Sequence, residues 1–207
     1  MVAATAVTVG GVTVELAEGD ITRQAGFDAV VNAANARLGP GSGVAGAIHR
    51  AAGSGLLEEC RPLAPIRPGR CVITTGHRLP NPWVIHCLGP VYGQDEPAAE
   101  LLASCYREAL ALADARGLAS VAFPAISTGA FGYPMAEAAR VALEAVLATV
   151  PGLREVNRIR LVLTDAGVVQ VHRAVLERLT GGGGPGGDGG RGGDGGRGGD
   201  GGAGGAA

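Results

Sequence analysis

Residues 121–134 read VAFPAISTGAFGYP, and this stretch predicts a buried strand, a glycine loop and a helix start in direct succession. The apolar run predicts the strand over residues 121–126, and Pro134 suits the first position of a helix predicted over 135–150. Successive amides in such a turn can bind an anion, and the helix dipole adds roughly half a positive charge behind them. An ordinary tight connection between a strand and a helix explains Gly129 and Gly132 equally well.

The same alternation of strands and helices runs along the rest of the chain. The hydrophobic pattern predicts strands at 6–9, 12–16, 28–33, 71–75, 83–88 and 159–163, and helices at 44–52, 56–60, 98–115 and 168–179. Most of these strands are apolar on both faces, which favours a three-layer α/β/α domain with a mixed, largely parallel central sheet. In such a sheet, ligands bind beyond the carboxyl ends of the strands.

Composition divides the chain into two parts. The 207 residues are 46% apolar, which supports one core, and we expect residues 1–180 to form one domain. Residues 181–207 are almost entirely Gly with scattered Asp and Arg, a composition that predicts a disordered tail. The sequence has no signal peptide pattern and no membrane-spanning run, so we expect a cytoplasmic monomer that does not contact a membrane.

Charge and residue usage exclude several function classes. The formal net charge of −2 gives no overall basic field to attract nucleic acid. All 17 basic residues are Arg, which excludes a Schiff-base lysine and the lysine of a nucleotide P-loop. The four cysteines lack metal-ligand spacing, so we predict neither a metal nor a cofactor.

A second glycine loop, GPGSG at residues 39–43, also follows a predicted strand and opens a helix. Two such loops facing one crevice match a ligand with two adjacent phosphates. Without lysine, backbone N–H groups, helix N-termini or Arg would hold those phosphates. Phe131 could offer an aromatic face to a sugar, and packing in the core is the alternative.

Three polar residues near strand ends have two interpretations each. Asn32 and Asn35 could order the turn after the strand at 28–33, or present paired donors and acceptors to a ribose. Asp20 could cap a short helix, or accept a hydrogen bond from an exocyclic amine of a base.

Five motifs then occur in a fixed order. They are GDIT (19–22), DAVVNAAN (28–35), GSGVAGAIHRAAG (41–53), the pair CVITTGHRLP and WVIHCLGP (71–80 and 83–90), and SVAFPAISTGAFGYP (120–134). Together they resemble the macrodomain family, and within it the MacroD-type branch, over nearly the whole globular part. The resemblance implies binding of ADP-ribose and hydrolysis of ADP-ribosyl ester linkages. The implied partners are ADP-ribose, ADP-ribosylated protein or, as an alternative, ADP-ribosylated nucleic acid.

The resemblance also implies roles for individual residues. Asp20 would hold the adenine amine and Asn35 the distal ribose, while the two loops would wrap the diphosphate and that ribose. The implied ligand-binding set is Asp20, Ile21, Asn32, Asn35, Gly41, Ser42, Gly43, Val44, Ser127, Thr128, Gly129, Ala130 and Phe131. The implied catalytic set is Asn35, His49, Gly129 and Phe131.

Two positions depart from the branch. Its members usually carry an aspartate four residues before the helix histidine, on the same helical face, and here that residue is Ala45, four before His49. No aromatic residue stands at 164–166 to stack on adenine. Two functions therefore remain open: a hydrolase that positions water with the substrate diphosphate and the loops, or a reader that binds ADP-ribose without turnover.

Overall fold

The computed structural model describes residues 5–181, which contain seven strands and five α-helices. The strands are β1 (Thr5–Val9), β2 (Val12–Glu18), β3 (Ala29–Ala33), β4 (Cys71–Thr75), β5 (Trp83–Cys87), β6 (Ser120–Phe123) and β7 (Arg158–Leu163). The helices are α1 (Gly43–Ala52), α2 (Ser54–Cys60), α3 (Ala98–Ala115), α4 (Met135–Thr149) and α5 (Ala166–Gly181). The predicted tail lies outside the described residues, except for Gly181 at the end of α5.

All seven strands form one sheet in the order β1-β2-β7-β6-β3-β5-β4. Strands β2, β7, β6, β3 and β5 pair in parallel, and β1 and β4 pair antiparallel at the two edges. The predicted mixed, largely parallel sheet is confirmed. Because the five central strands run in one direction, their carboxyl ends lie along a single edge of the sheet.

Helices cover both faces of the sheet and bury a separate cluster of apolar residues on each. Val31 and Ile85 pack with α3, α4 and α5 on one face, whereas Val30 and Val84 pack with α1 and α2 on the other. Successive side chains of a strand point to opposite faces, so each central strand contributes to both clusters. The predicted three layers are confirmed.

Several boundaries differ from those predicted by one to three residues, and two of them have a clear local reason. Strand β6 ends at Phe123 and not at 126, because Pro124 has no N–H to continue the ladder. Helix α5 begins at Ala166, two residues before the predicted start, because Asp165 Oδ1 accepts a hydrogen bond from the Val168 amide at 3.0 Å and caps the helix.

Asp114, near the end of α3, ties that helix to the segment that leads into β7. Its Oδ1 accepts backbone hydrogen bonds from Arg154 at 2.9 Å, Glu155 at 2.8 Å and Val156 at 3.0 Å. These backbone hydrogen bonds, with that of Glu155 the largest cause, lower the pKa of the Asp114 carboxyl below its usual value. The ionised carboxylate therefore stabilises the folded state.

We predict that Asp114→Ala lowers the free energy of unfolding by about 1–2 kcal/mol at pH 7, because three backbone donors lose a charged acceptor. The folded-state pKa lies below the unfolded value, so this stabilisation is present above about pH 4 and is lost as the pH falls through the folded-state pKa. Urea denaturation at pH 7 and at pH 3 measures it, with Glu177→Ala, an exposed carboxylate on α5, as the control. An equal loss at both pH values would contradict the prediction.

Candidate functional site

A cleft of about 220 Å³ opens at the carboxyl edge of the sheet, between the loop after β3 and the loop after β6. Its lining comes from residues 33–35, 41–45, 89, 125–127 and 129–131. The two predicted glycine loops therefore face one another across a shared space. Among these described lining residues none has a charged side chain, so a bound anion would meet main-chain and neutral polar groups.

Asn35 organises the loop that follows β3 and also lines the cleft. Its Oδ1 accepts hydrogen bonds from the amides of Arg37 at 3.1 Å and Gly39 at 3.2 Å, and its Nδ2 donates to the Gly39 carbonyl at 2.8 Å. Of its two predicted interpretations, the ordering of the turn is therefore observed. A ribose contact would have to use the remaining acceptor and donor capacity of the same side chain.

The N-terminus of α1 opens directly into the cleft. Gly43 has φ +60 at the first position of the helix, and the side chain of the preceding Ser42 makes no capping hydrogen bond. The first amides of a helix have no partner within the helix, so this end of α1 offers free N–H donors with a positive dipole behind them. Gly46 permits the arrangement, since a Cβ there would stand 2.2 Å from the Gly41 carbonyl oxygen.

The loop after β6 is held in place by its own backbone. The amide of Tyr133 donates to the Ser127 carbonyl at 3.0 Å, and that of Gly132 donates to the Gly129 carbonyl at 2.9 Å. The Thr128 hydroxyl donates to the Ala125 carbonyl at 2.9 Å. Thr128 itself is not among the residues that line the cleft. Ser127 has φ +66, an uncommon conformation for a residue other than glycine.

Of the two interpretations of Phe131, the structure shows packing against the core, and the contact with a sugar stays a prediction. Phe131 lines the cleft, and it packs half-buried against the apolar cluster beneath α1 and α2. Its carbonyl accepts a hydrogen bond from the Tyr92 amide at 2.9 Å, which ties the loop tip to the segment after β5. Phe131 is therefore anchored by core packing and by its backbone while it remains on the cleft wall.

Asp20 and Ile21 lie at the same edge of the sheet but are not among the cleft-lining residues. Asp20 caps a 3-10 helix at Ile21–Arg23, since its Oδ1 accepts from the Thr22 amide at 2.8 Å and the Thr22 hydroxyl at 2.7 Å. The Thr22 backbone hydrogen bond lowers the pKa of Asp20. The side chain of Asp20 is exposed, and its second oxygen lies on the protein surface, 3.7 Å from Arg23 Nε.

Asn32 is fully buried in β3 and does not line the cleft. Its Nδ2 donates to His86 Nδ1 at 3.1 Å, which places the ring proton on Nε2, and Nε2 in turn lies 2.9 Å from Thr74 Oγ1. Burial lowers the pKa of His86 to about 3, so the ring is neutral. The Asn32 side chain therefore connects β3 with β5 inside the sheet and does not form part of the cleft wall.

His49 and Ala45 occupy one face of α1 but differ in their access to the cleft. Ala45 lines it, whereas His49 is 7% exposed and is not part of the lining. Burial lowers the pKa of His49, with a partial offset from a hydrogen bond to the Leu38 backbone. Its Nε2 has no hydrogen-bond partner. The ring is therefore a neutral group at physiological pH, one helical turn from the cleft wall.

Sequence reasoning did not include five of the residues that line the cleft. They are Ala33, Ala34, Gly89, Ala125 and Ile126. Ala33 and Ala34 end and directly follow β3, and Ala125 and Ile126 lie two and three residues after the end of β6, so their position near a strand end was a usable signal. Gly89 follows β5, and its only local sign was a Gly-Pro pair after a buried strand.

Residues 5–181 contain no group of three or more His, Cys, Asp or Glu side chains placed to hold a metal ion. Within the same range, no helix is both long and apolar enough to cross a membrane. All four cysteines are free, and Cys71 and Cys87 lie side by side on β4 and β5.

Comparison with known proteins agrees with the fold. The sequence profile described as Macro domain matches residues 31–142. A Macro domain-containing protein of Streptomyces nogalater is 50% identical over 159 residues, covering 74% of this chain and 86% of the relative. A macrodomain of Oceanobacillus iheyensis, solved with ADP, matches with a TM-score of 0.82 at 37% identity and covers 86% of this chain and 96% of its own.

A macrodomain of Trypanosoma brucei, solved in complex with ADP-ribose, matches with a TM-score of 0.71 at 35% identity. That match covers 78% of this chain and 68% of the other. With the profile match over more than half of its length and a relative at 50% identity, the chain belongs to the Macro domain family.

Proposed function

We propose that this protein binds ADP-ribose in the cleft and hydrolyses ADP-ribosyl ester linkages, on acidic side chains or in O-acetyl-ADP-ribose. The observation that carries the proposal is the uncharged cleft between two glycine loops, one of which opens α1 and the other of which precedes α4. The relatives solved with ADP and with ADP-ribose support the ligand class.

In the proposed complex, main-chain amides of residues 41–44 and 127–131 surround the diphosphate and the distal ribose. Asn35 contacts the distal ribose, with Phe131 packed against the sugar. The exposed oxygen of Asp20 accepts from the adenine amine, beside Ile21. Such contacts need no cationic side chain, because the helix N-terminus and the turn supply the donors.

The proposed hydrolysis passes through an oxocarbenium-like transition state, with the carboxylate of the ester as the leaving group. A carboxylate departs without a proton at neutral pH, so general-acid assistance contributes little. Water is oriented by the diphosphate of the substrate and by loop amides. The lack of a carboxylate at Ala45 costs about 10²–10⁴-fold in rate relative to a site that has a positioned base.

The second candidate function is a reader that binds ADP-ribose without turnover. Ala45 favours it, because the helix face that lines the cleft is apolar there, and the nearby His49 is buried and neutral. Incubation with protein carrying a glutamate-linked ADP-ribose separates the two functions. Release of free ADP-ribose, together with binding by calorimetry, is expected of the hydrolase, whereas binding without release would identify the reader.

We predict that Gly129→Glu weakens ADP-ribose affinity by at least about 100-fold, because a carboxylate then projects into the site of the diphosphate. No atom lies within 4 Å of a Cβ built on Gly129, so the fold accommodates the side chain. Isothermal titration calorimetry measures the change. Gly152→Glu is the matched control, since Gly152 has equally open surroundings and lies far from the cleft lining. Unchanged affinity in Gly129→Glu would refute the phosphate role of this loop.

We predict that Ala45→Asp raises the rate of ADP-ribose release by about 10-fold or more, because it places a carboxylate on the cleft wall where it can orient water. Single-turnover release from the glutamate-linked substrate measures it. Ala47→Asp, on the same helix but outside the cleft lining, serves as the control. A release rate equal to that of the wild type would show that water is not positioned at this face of α1.

A further inference from the structure

A glycine after β5 lies against the loop that follows β6, although 38 positions separate the two in the sequence. A Cβ on Gly89 would stand 2.1 Å from Ser127 Oγ and 2.7 Å from Ile126 Cγ2. The backbone of Gly89 is not in the left-handed region, so a larger residue is excluded by these neighbours and not by its own conformation. Gly89, Ile126 and Ser127 all line the cleft.

The segment that carries Gly89 is fixed on both sides. The amide of Leu88 donates to the Arg70 carbonyl at 3.1 Å, and the Leu88 carbonyl accepts from the Gly69 amide at 2.8 Å. That carbonyl also accepts from the Cys105 thiol at 3.3 Å. Pro90 follows and restricts its own φ. A Cβ at position 89 would therefore be accommodated by movement of the opposing residues, Ile126 and above all Ser127.

Ser127 is the strained point of its loop. It holds φ +66 with its side chain buried, and its Oγ has no hydrogen-bond partner. Such a conformation persists only where surrounding contacts determine it. The Tyr133 amide fixes the Ser127 carbonyl, and the bare Cα of Gly89 leaves the space that the Ser127 side chain fills.

We infer that Gly89 is a positioning residue for the diphosphate-binding loop: its missing side chain admits Ser127 in the left-handed conformation and so sets the direction of the loop amides. This inference rests on the proposed function. Gly89 does not itself offer a side chain to the ligand. It acts on affinity through the position of residues 127–131.

A double-mutant cycle with Gly89→Ala, Ser127→Ala and the double variant tests this inference. Gly89→Ala is expected to weaken ADP-ribose affinity about 10-fold to 100-fold by calorimetry, because overpacking displaces the loop. Ser127→Ala removes the closest opposing atom while keeping the Cβ and its backbone preference. Ile126 Cγ2, 2.7 Å from a Cβ at position 89, remains in both backgrounds. The loss caused by Gly89→Ala is therefore expected to be about 5-fold smaller in the Ser127→Ala background but not abolished. Gly152→Ala, with no atom within 4 Å of its Cβ position, is the control.

Substitution of a residue that only stabilises the fold would lower the melting temperature without weakening the affinity of the folded protein. Unchanged affinity in Gly89→Ala, or equal losses of affinity in the two backgrounds, would therefore overturn the inference. If Gly89→Ala alone does not fold, the double variant must fold and bind, and a double variant no better than the single one also overturns it. Failure of the wild type to bind ADP-ribose would instead refute the proposed function. In that case melting temperatures of the same four proteins report the coupling of Gly89 to Ser127, and additive shifts would overturn it.

Discussion

The pairing of β3 with β6 is the constraint on which the cleft depends. These strands are about 90 residues apart in the sequence but adjacent and parallel in the sheet, about 5 Å from each other, so the loops that follow them leave the same edge of the sheet as neighbours. The Asp28 carboxylate reinforces the start of this pairing by accepting hydrogen bonds from the amides of Ala119 and Ser120 at 2.8 and 2.9 Å. Without the pairing of β3 with β6, each glycine loop would only connect a strand to a helix, and the two loops would not form a cleft.

Two arginines on β7 are used within the sheet and not in the cleft. Arg158 and Arg160 pair with Glu15 on the outer strands, and both stack on the ring of Phe27. Burial alone would raise the pKa of Glu15, but the hydrogen bonds from these two arginines outweigh it and lower the pKa. The guanidinium groups of Arg158 and Arg160 therefore bind Glu15 and Phe27 and do not line the cleft. A diphosphate in the cleft would thus rely on short-range donors, whose strength depends on loop geometry more than on ionic strength.

The sequence predicted those features that are local. Apolar runs located every strand of the sheet, and Pro134 located the start of α4. The sequence alone could not distinguish the roles of Asn32 and Asn35, three residues apart, because the burial and contacts of each depend on tertiary neighbours. Asn32 lies opposite His86 on the adjacent strand and is buried, whereas Asn35 lies past the strand end and shapes a loop. The contact of Gly89 with Ser127 could not be predicted for the same reason, because the sequence around each residue gives no indication of the other residue.

The chemistry open to such a cleft is narrow. Among the described lining residues there is no acid and no base: Ala45 offers a methyl group, and the neutral His49 lies behind the wall. A group that cannot donate or accept a proton can assist only through orientation and fixed dipoles. Under the proposed function, the substrate must therefore bring a leaving group that departs as an anion. A carboxylate meets that requirement, whereas an alkoxide or an amide nitrogen would need a proton that no side chain of the cleft supplies. Under that function, the same apolar wall would both slow turnover and restrict it to ester linkages.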